Sequence, residues 1–519
     1  MIKRLLPLNT LFILLIISNT AIGQNVNITW GNNIPSQKRS KYSLLHEASD
    51  KSILIQHTDK KRRMFLEKHS NDGYSLVSSN QIDLTLIKNS NKKSDRLSFE
   101  KIYVMKDAVF VFASNYNKEV DLFSIYAKIY DFDGNELSNW KKLESVSASS
   151  SRRRGEYDVE ISHDKTKLLI KHTVYTKRKE LEERYSYSVF DFELIQIFKK
   201  EVKIKKESKK DDVSTFGEKV SNSGSVFFFS RFNDEITLYR LSESDANETD
   251  ADDLIKYKLD FDKKDILDIA NFVRESDNSV IVTGFYSDKN NKKNYGISGV
   301  VYVVMDDKSL EETLSKTSSF SEEFLKNYIS SKRIRKGKGI STSFDLRSLI
   351  IKNNGDAVLI AENRYVTKHC TRDQKTGHET CTYTYHFDQL MVIGISGDGV
   401  LTFATNLDKY AGVGNSLSEI VSYSVLPTND GVIIFYNGHY KDFREGDKKT
   451  RSFPGYKKGV LVKAFISNTG EISKEAIVRH KEAKLIVYPR YALTTSDKRG
   501  VIMLCNYKRN MKVGRFEVE

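Results

Sequence analysis

The 519-residue sequence is poor in the residues that mark linkers, cofactor sites and disulfide frameworks. It has only five prolines, and no Pro-rich segment separates one part of the chain from another. Three cysteines are too few for a disulfide-dense scaffold. The sequence contains no G-x-S-x-G, H-E-x-x-H or G-x-x-x-x-G-K-[ST] motif, and no G-x-G-x-x-G between a strand and a helix. It therefore predicts no catalytic residue, no cofactor and no metal site.

A long apolar run is found only at the amino terminus. Lys3 and Arg4 precede the apolar segment Leu5–Ile17, and residues 21–23 are small enough for a signal peptidase. We predict a signal peptide over 1–23 and export to the periplasm, the cell surface or the medium. No later segment reaches the roughly 18 to 20 apolar residues of a membrane span, so no transmembrane segment is expected after the signal is removed.

Short apolar runs recur along the rest of the chain and indicate a repeat architecture. Each run follows a polar turn directly. The eight runs start at Ile53, Val109, Leu168, Val226, Val280, Val358, Val432 and Val501. Such a recurrence is typical of one supersecondary unit that is repeated along the chain.

One of these units shows the strand pattern in full. Its apolar runs are Leu346–Lys352, Ala357–Glu362, Leu390–Ile395 and Val400–Phe403. The pairs Asn354-Gly355 and Asp398-Gly399 lie between runs, and such pairs tolerate the positive φ that tight hairpins need. Isoleucine, valine and aromatic residues favour strands in the runs themselves. Four strands in this order form an antiparallel meander, which is the blade of a β-propeller.

We therefore predict an all-β protein, a β-propeller of eight, alternatively seven, four-stranded antiparallel blades in a single domain, 24–519. The last unit lacks a fourth strand. The unassigned run 25–30 is predicted to complete the last blade and so to close the ring. Tandem immunoglobulin-like sandwiches are the main alternative, although the cysteine and tryptophan pattern of those domains is missing.

Longer steps between the later units indicate insertions. A short helical insertion is predicted near 309–331, because Ser309-x-x-Glu312 and Ser319-x-x-Glu322 both have the spacing of a helical capping box. Two further insertions are an extended hairpin in the sixth unit and a charged loop, 440–458, in the seventh. Insertions on one face of a propeller often form its binding surface, and passive decoration is the alternative.

A basic segment follows the predicted helix and is the candidate binding surface. Its cationic residues include Arg333, Arg335, Lys336 and Lys338. The whole chain has a net charge of +14, and a clustered basic face attracts acidic polysaccharide, lipid head groups or nucleic acid. Charge that serves only solubility is the more ordinary interpretation of such a run.

Two of the cysteines are predicted to form a disulfide. Cys370 and Cys381 flank a segment with Gly377 near its middle, which suits a cross-strand bond near a hairpin tip in an exported protein. A metal site that adds His369 and His378 is the alternative, but the paired spacing of zinc sites is missing. Cys505 lies in an apolar run and is predicted to be a buried free thiol.

The carboxyl-terminal third resembles a known group of proteins. Gly355–Tyr365, the turn Ile395–Leu401 and the run Gly431–Tyr436 are similar to a family of exported Bacteroidota proteins with β-propeller-like repeats and no assigned activity. Members often have a tryptophan after the Asp-Gly turn, where this chain has Phe403. The resemblance implies an exported Gram-negative protein and supplies no catalytic residue.

Two classes of function follow from the sequence. The first is a non-enzymatic binding or scaffolding propeller of the cell envelope, whose partner is an envelope protein or an acidic glycan. We expect this protein to be a monomer that does not bind nucleic acid. The alternative is a carbohydrate-active enzyme, similar to glycoside hydrolases, with a carboxylate site on the propeller axis.

Overall fold

The computed structural model describes most of the chain, and the predicted signal peptide, 1–23, lies outside the described residues. The described residues are 25–35, 40–87, 92, 95–148, 150, 154–174, 180–288, 295–352, 354–372, 374–375, 377–414, 420–445, 449–508 and 510–519. Strands dominate these ranges. Among the described residues, no helix is both long and apolar enough to cross a bilayer.

Within the described chain, eight sheets follow one another as blades 1 to 8. Two strands precede blade 1, namely β1 (Val26–Trp30) and β2 (Ile34–Pro35). Blade 1 contains β3 (Lys41–Glu47), β4 (Ile53–Thr58), β5 (Met64–His69) and β6 (Leu76–Gln81). Blade 2 contains β7 (Ser98–Met105), β8 (Ala108–Asn117), β9 (Leu122–Tyr130) and β10 (Lys141–Ser147). Blade 3 contains β11 (Tyr157–Ile161), β12 (Lys167–Val174), β13 (Glu182–Asp191) and β14 (Gln196–Lys205).

The chain then crosses back once between blades 3 and 4. Blade 4 contains β15 (Val213–Val220), β16 (Val226–Phe232) and β17 (Glu235–Leu241). The short strand β18 (Glu248–Asp250) next pairs in parallel with β14, and β19 (Ile255–Lys258) returns to complete blade 4. The outer edge of blade 3 is therefore partly covered by a strand from its neighbour.

The later blades carry the insertions. Blade 5 contains β20 (Lys264–Arg274), β21 (Ser279–Asp288), β22 (Gly299–Asp306) and β23 (Glu312–Ser319). Blade 6 contains β24 (Phe344–Ile351), β25 (Ala357–Arg372), β26 (Glu379–Ile395) and β27 (Leu401–Leu407), with β28 (Gly412–Gly414) beside β26. Blade 7 contains β29 (Tyr423–Thr428), β30 (Gly431–His439), β31 (Gly459–Ser467) and β32 (Ile472–Arg479). Blade 8 contains β33 (Ile486–Val487), β34 (Leu493–Thr494), β35 (Gly500–Tyr507) and β36 (Asn510–Val518).

Helical turns are few and short in the described ranges. The α-helical turns are α1 (Glu322–Leu325), α2 (Ser331–Ile334) and α3 (His480–Ala483). The 3-10 turns are Ala251–Asp253, Tyr440–Phe443 and Pro489–Tyr491. The prediction of an all-β propeller with four-stranded blades is confirmed, and the described residues form eight blades, not seven.

Each of the eight apolar runs in the sequence lies in the second strand of a blade, and these strands are buried because both faces of a blade pack against neighbours. In β16, Val226 and Phe228 contribute to an apolar cluster between blades 3 and 4. Phe227 and Phe229, which point the other way, belong to the cluster between blades 4 and 5. One such cluster lies at each of the eight boundaries, including that between blades 8 and 1.

The two ends of the described chain meet in blade 8. Strand β1 pairs antiparallel with β36, with Val26 opposite Val518 and Trp30 opposite Gly514. An ion pair between Arg515 in blade 8 and Glu47 in blade 1 is buried at the same boundary. Strand β1 therefore covers an edge of β36 that would otherwise be open.

The helical insertion overlaps the predicted range but begins and ends later, with α1 beginning at Glu322 and α2 ending at Ile334. Ser309 and Glu312 do not form a capping box, because 312–319 is strand β23, paired with β22. Ser319 does not cap a helix either. The N-cap is Ser321, whose Oγ accepts a hydrogen bond from the Phe324 backbone N–H at 3.2 Å.

The meander places three long insertions on one face of the ring. Within a blade, one end holds the connections from the first strand to the second and from the third to the fourth. The loops between second and third strands, and the connections between blades, start from the other end. The connection 320–343, the hairpin of β25 and β26, and the loop that begins at Tyr440 all belong to this end. We call this side the loop face.

Candidate binding cleft

A cleft of about 890 Å³ opens on the loop face at the boundary between blades 7 and 8. Strand ends from both blades form its walls. Tyr440 follows β30, Gly459 begins β31, and Arg479 ends β32. Tyr507 ends β35 and Asn510 begins β36, so the cleft exists only because the two blades are adjacent.

The lining of the cleft is strongly basic. Glu482 is the one acid among the lining residues, and its Oε1 bonds to Nη1 of Arg479 at 2.8 Å. In the part of the chain that the structure describes, none of the five lysines has a carboxylate partner. The cationic lining residues, all exposed, are Lys457, Lys458, Arg479, Lys481, Lys484 and Lys508. Most of this positive charge is therefore available to an anionic ligand.

Three tyrosine rings provide the aromatic part of the lining. Tyr456 of blade 7 stacks on Tyr507 of blade 8, with ring centroids 3.6 Å apart and planes inclined by 5°. The guanidinium groups of Arg444 and Arg479 lie 5.0 and 5.2 Å from the ring centroid of Tyr440. These cation–π contacts hold the cations beside the rings. The cleft therefore brings tyrosine side chains and cations together.

The floor beneath these side chains is tightly packed and uncharged near neutral pH. His480 is fully buried and contacts the ring of Phe453 edge-on, with centroids 5.8 Å apart. A Cβ atom at Gly459 would lie 2.6 Å from the Phe453 ring and 2.7 Å from Nδ1 of His480, so only glycine fits there. Burial lowers the pKa of His480 to about 4, so its ring is neutral at pH 7.

The predicted binding residues lie elsewhere on the loop face, between blades 5 and 6. Arg333, Arg335 and Lys336 are exposed and Lys338 is half-buried. The Lys338 backbone N–H donates to the Arg333 carbonyl at 3.1 Å, which brings the four residues into one compact turn. The positive φ of Gly337, +70°, permits this turn. None of the four lines the cleft.

The two cysteines of the extended hairpin are joined. Cys370 and Cys381 lie opposite each other on β25 and β26 and form a disulfide. The alternative metal site therefore lacks its two thiolates, although Glu379 lies beside them. Cys505 is a buried free thiol in β35, and burial raises its pKa.

A small apolar cluster joins the base of this hairpin to the floor of the cleft. Phe387, Ala411, Val421 and Phe453 are buried against one another above the blades. The Phe453 backbone N–H also donates to the carbonyl of Tyr410 at 2.7 Å. Since Phe453 also packs under the cleft, the hairpin base and the cleft belong to one packed unit.

An axial catalytic site would use acids on the first strands of the blades, and blade 3 has two of them on β11, Asp158 and Glu160. The first strands of neighbouring blades contact one another around the axis. Asp158 pairs with Lys101, and Oε2 of Glu160 lies 3.2 Å from Nζ of Lys219. Burial raises the pKa of Glu160. Both acids are thus neutralised by lysines on adjacent strands.

A second acidic position on the axis lies between blades 5 and 6. Asp268 and Asp345 line a cavity of about 440 Å³ there. Oδ2 of Asp268 accepts the backbone N–H of Leu346 at 2.7 Å, and Oδ2 of Asp345 lies 3.3 Å from Nη1 of Arg364. Burial raises the pKa of Asp268. Both carboxylates hold neighbouring strands together, which is a structural task.

Comparisons with known proteins show no family for this chain. No family model matches the chain, and no curated protein matches its sequence. The WD40 domain of SCAP from fission yeast aligns at 10% identity over 95% of this chain and 98% of its own, with a TM-score of 0.38. The β-propeller domain of the Trilobed protease from Pyrococcus furiosus aligns at 9% identity over 82% and 96%, with a TM-score of 0.33. A polysaccharide lyase, an ulvan lyase, aligns at 8% identity over 89% and 99%, with a TM-score of 0.36.

Sequence reasoning placed one wall of the cleft and missed the others. The loop 440–458 was among the predicted insertions. The cationic residues of 479–484 and Lys508 were not predicted to bind a ligand. The connection between blades 7 and 8 and the turn between β35 and β36, which contain them, are no longer than usual. A usable signal was present, since Arg479, Lys481 and Lys484 lie within six residues of one another.

Proposed function

We propose that this protein is a non-enzymatic binding propeller of the cell envelope and that the cleft between blades 7 and 8 binds an acidic polysaccharide. One observation carries the proposal: six cations and three tyrosines line a single open cleft that contains one acid, Glu482, already paired. A neutral sugar has no charged group that could pair with these cations. Carboxylate or sulfate groups along a polysaccharide would each meet a lysine or arginine.

The shape and chemistry of the cleft favour a polymer of sugars over a small anion. Its volume of about 890 Å³ exceeds what one carboxylate or sulfate requires. Tyrosine hydroxyl groups are donors and acceptors suited to sugar hydroxyls, and the faces of aromatic rings suit the apolar C–H faces of pyranose rings. Exposed lysines bind with little directional demand, which suits a repeating anionic chain.

The test uses the full mature chain and three polysaccharides: polygalacturonate, heparin and neutral dextran. We expect binding to at least one of the two acidic polymers by titration calorimetry, no binding to dextran, and weaker binding as salt rises from about 0.05 to 0.5 M. The variant K481E/K484E/K508E is expected to bind at least tenfold more weakly. Its matched control is K118E/K209E/K308E, which reverses three exposed lysines outside the cleft and is expected to bind as the wild type does.

Four results would contradict the proposal. Equal loss in both triple variants would mean that only net charge matters. Binding to dextran as strong as to the acidic polymers would remove the role of the cations. Preference for single-stranded DNA over both acidic polymers would reassign the cleft to nucleic acid. Release of reducing ends from a bound polymer would make the protein an enzyme and direct attention to the axial acids.

Export and the monomeric state are parts of the same proposal. The amino-terminal residues Lys3 and Arg4, followed by the apolar segment Leu5–Ile17, support a cleaved signal. Protein sequencing of material recovered from the envelope fraction is expected to begin at Gln24. Light scattering of the purified chain is expected to give the mass of one copy. Cytoplasmic retention with Met1 intact would contradict the assignment to the envelope.

A further inference from the structure

The hairpin of blade 6 extends beyond its sheet and leaves one strand edge open. Strand β24 pairs with β25 only as far as Asn363, whereas β25 and β26 remain paired out to Arg372 and Glu379. Past Arg364, whose backbone N–H donates to the Ser343 carbonyl at 2.8 Å, no described residue lies beside the outer edge of β25 as a strand partner. We call 366–372 the open edge.

Alternate backbone groups of the open edge point away from the hairpin. Opposite residues of two antiparallel strands have their Cα atoms closest where they exchange no backbone hydrogen bonds. The Cα atoms of Cys370 and Cys381 are 4.0 Å apart, so these two residues form such a pair. Arg364 is an even number of residues from Cys370, and its backbone N–H also points outward, to the Ser343 carbonyl. The N–H and C=O groups of Val366, Lys368 and Cys370 therefore face outward, and an added strand would satisfy them.

The side chains of these residues form one basic face with an apolar centre. Val366 is 52% exposed, and its cross-strand neighbours Tyr385 and Tyr383 are 40% and 42% exposed. Lys368 and Arg372 are also exposed, and Nζ of Lys368 lies 5.8 Å from the Tyr383 ring centroid. The segment 364–372 contains no acid, and Glu379, opposite Arg372 on β26, is the one acid on this face of the described outer strands. The disulfide ties the two strands together near the tip.

We propose that the open edge binds an extended acidic segment of a partner protein, which adds to the hairpin as a further strand. Main-chain hydrogen bonds to Val366, Lys368 and Cys370 supply the docking, as in strand addition generally. On the face described above, the added strand carries an apolar residue opposite Val366 and acids opposite Lys368 and Arg372. The predicted pattern is an apolar residue, an acid two positions from it, and a second acid four positions beyond the first acid.

A second copy of this chain is a poor occupant of the same edge. Pairing two open edges would bring Lys368 and Arg372 of one copy beside the same basic residues of the other. Like charges on directly opposite strand positions are destabilising. The positive charge of the edge is complementary to an acidic segment instead.

The test selects random 12-residue peptides displayed on phage against the full chain with its disulfide intact. We expect enriched peptides to carry acids in the stated alternation with β-branched or aromatic residues. Synthetic copies are expected to slow hydrogen exchange at the amides of Val366, Lys368 and Cys370. They should bind at least tenfold more weakly to Val366→Pro, which removes one outward N–H without breaking a bond of the hairpin. They should bind Val366→Thr, which keeps that N–H, as well as the wild type.

Further variants separate this site from the cleft and from misfolding. K481E/K484E/K508E is expected to keep peptide binding, so failure of the polysaccharide proposal and failure of this one are distinguishable. Val366→Pro must retain the disulfide and the thermal midpoint of the wild type. Lys368→Glu should weaken binding of acidic peptides, and Lys308→Glu should not. Absence of an enriched peptide family, full binding to Val366→Pro, or dependence on the cleft lysines would each overturn the proposal.

Discussion

Lys409 is a charged residue buried between blades 6 and 7, and all of its charge is compensated locally. Its Nζ lies 2.7 Å from Oε1 of Glu362 and 2.7 Å from the Phe387 carbonyl. Ser422 donates its hydroxyl to the second carboxylate oxygen at 3.1 Å. The two charged side chains are 0% and 1% exposed. Burial lowers the pKa of Lys409, and the nearby carboxylate opposes that shift.

Removing one member of this pair should cost more than removing both. Lys409→Met is expected to lower the free energy of unfolding by about 3–5 kcal/mol, because Glu362 is left buried and uncompensated. The double variant Lys409→Met/Glu362→Leu should recover most of that loss. Urea titration measures both, and the surface control Lys308→Met should shift stability by less than about 0.5 kcal/mol. A double variant no more stable than Lys409→Met would contradict this account.

His480, in the floor of the cleft, should make stability depend on pH. Both ring nitrogens are buried with no hydrogen-bond partner among the described residues. Burial lowers its pKa from 6.5 to about 4, so between these values the unfolded chain binds the proton more readily than the folded one. Stability is therefore lost as pH falls from about 6.5 to 4, and the contribution of this one residue is about 3 kcal/mol.

The variant His480→Phe isolates this contribution. The difference in unfolding free energy between wild type and variant is expected to change by about 3 kcal/mol between pH 7 and pH 4, in favour of the variant at low pH. Chemical denaturation at a series of pH values measures it. His163→Phe, at an exposed position, is the matched control and should give no such trend. A difference that is flat with pH would show that the ring of His480 is not held neutral by burial.

At the scale of single elements, the hairpin of β25 and β26 stands apart from the blade that carries it. Beyond Arg364 its strands pair with each other, and β26 also contacts the short strand β28. The bond between Cys370 and Cys381 closes a loop with a sequence separation of 11. In the chain-entropy model such a closure contributes about 2–3 kcal/mol, and here it acts on the hairpin alone.

Removal of this disulfide is therefore expected to destabilise only the outer part of the hairpin. In Cys370→Ser/Cys381→Ser, amides of the outer hairpin are expected to exchange at least tenfold faster, because local opening no longer works against the covalent closure. The thermal midpoint of the propeller should stay within about 1 °C. Hydrogen exchange with mass spectrometry and calorimetry give the two readouts. Cys505→Ala provides the contrast, since it should lower the midpoint and leave the hairpin amides unchanged. A parallel fall of the midpoint in the double serine variant would contradict the local role.

The same elements show how far sequence patterns reach. Strands and turns were predictable, because β-branched runs and Asn-Gly or Asp-Gly pairs act over a few residues, as around Gly355. The capping box at Ser309 failed, because pairing of 312–319 with β22 outweighs a local helical preference. The cleft was largely missed, because Tyr456 and Tyr507 are 51 positions apart in the sequence and meet only when blades 7 and 8 pack.

On the scale of the whole molecule, stability depends on closing the ring. Apolar clusters occupy all eight boundaries between blades in the described chain, so every blade is covered on both sides. The boundary between blades 8 and 1 has no covalent connection other than the segment that follows β1. It is held by the pairing of β1 with β36 and by the buried pair of Glu47 with Arg515. Opening there would expose two blade faces at once.

A covalent lock at this boundary tests whether ring opening limits stability. Val26 and Val518 are directly opposite on β1 and β36. Because the Glu519 N–H donates to the Asn25 carbonyl, Val26 and Val518 exchange no backbone hydrogen bonds with each other, and such pairs have the closer Cα atoms. The variant Val26→Cys/Val518→Cys closes nearly the whole chain into one covalent loop. In the chain-entropy model this raises the free energy of unfolding by about 6 kcal/mol at most. We expect a higher thermal midpoint when the new bond is oxidised, with the same protein after reduction of that bond as its own control. An oxidised variant that unfolds at the same temperature as its reduced form would mean that unfolding starts inside the ring, at a boundary other than that between blades 8 and 1.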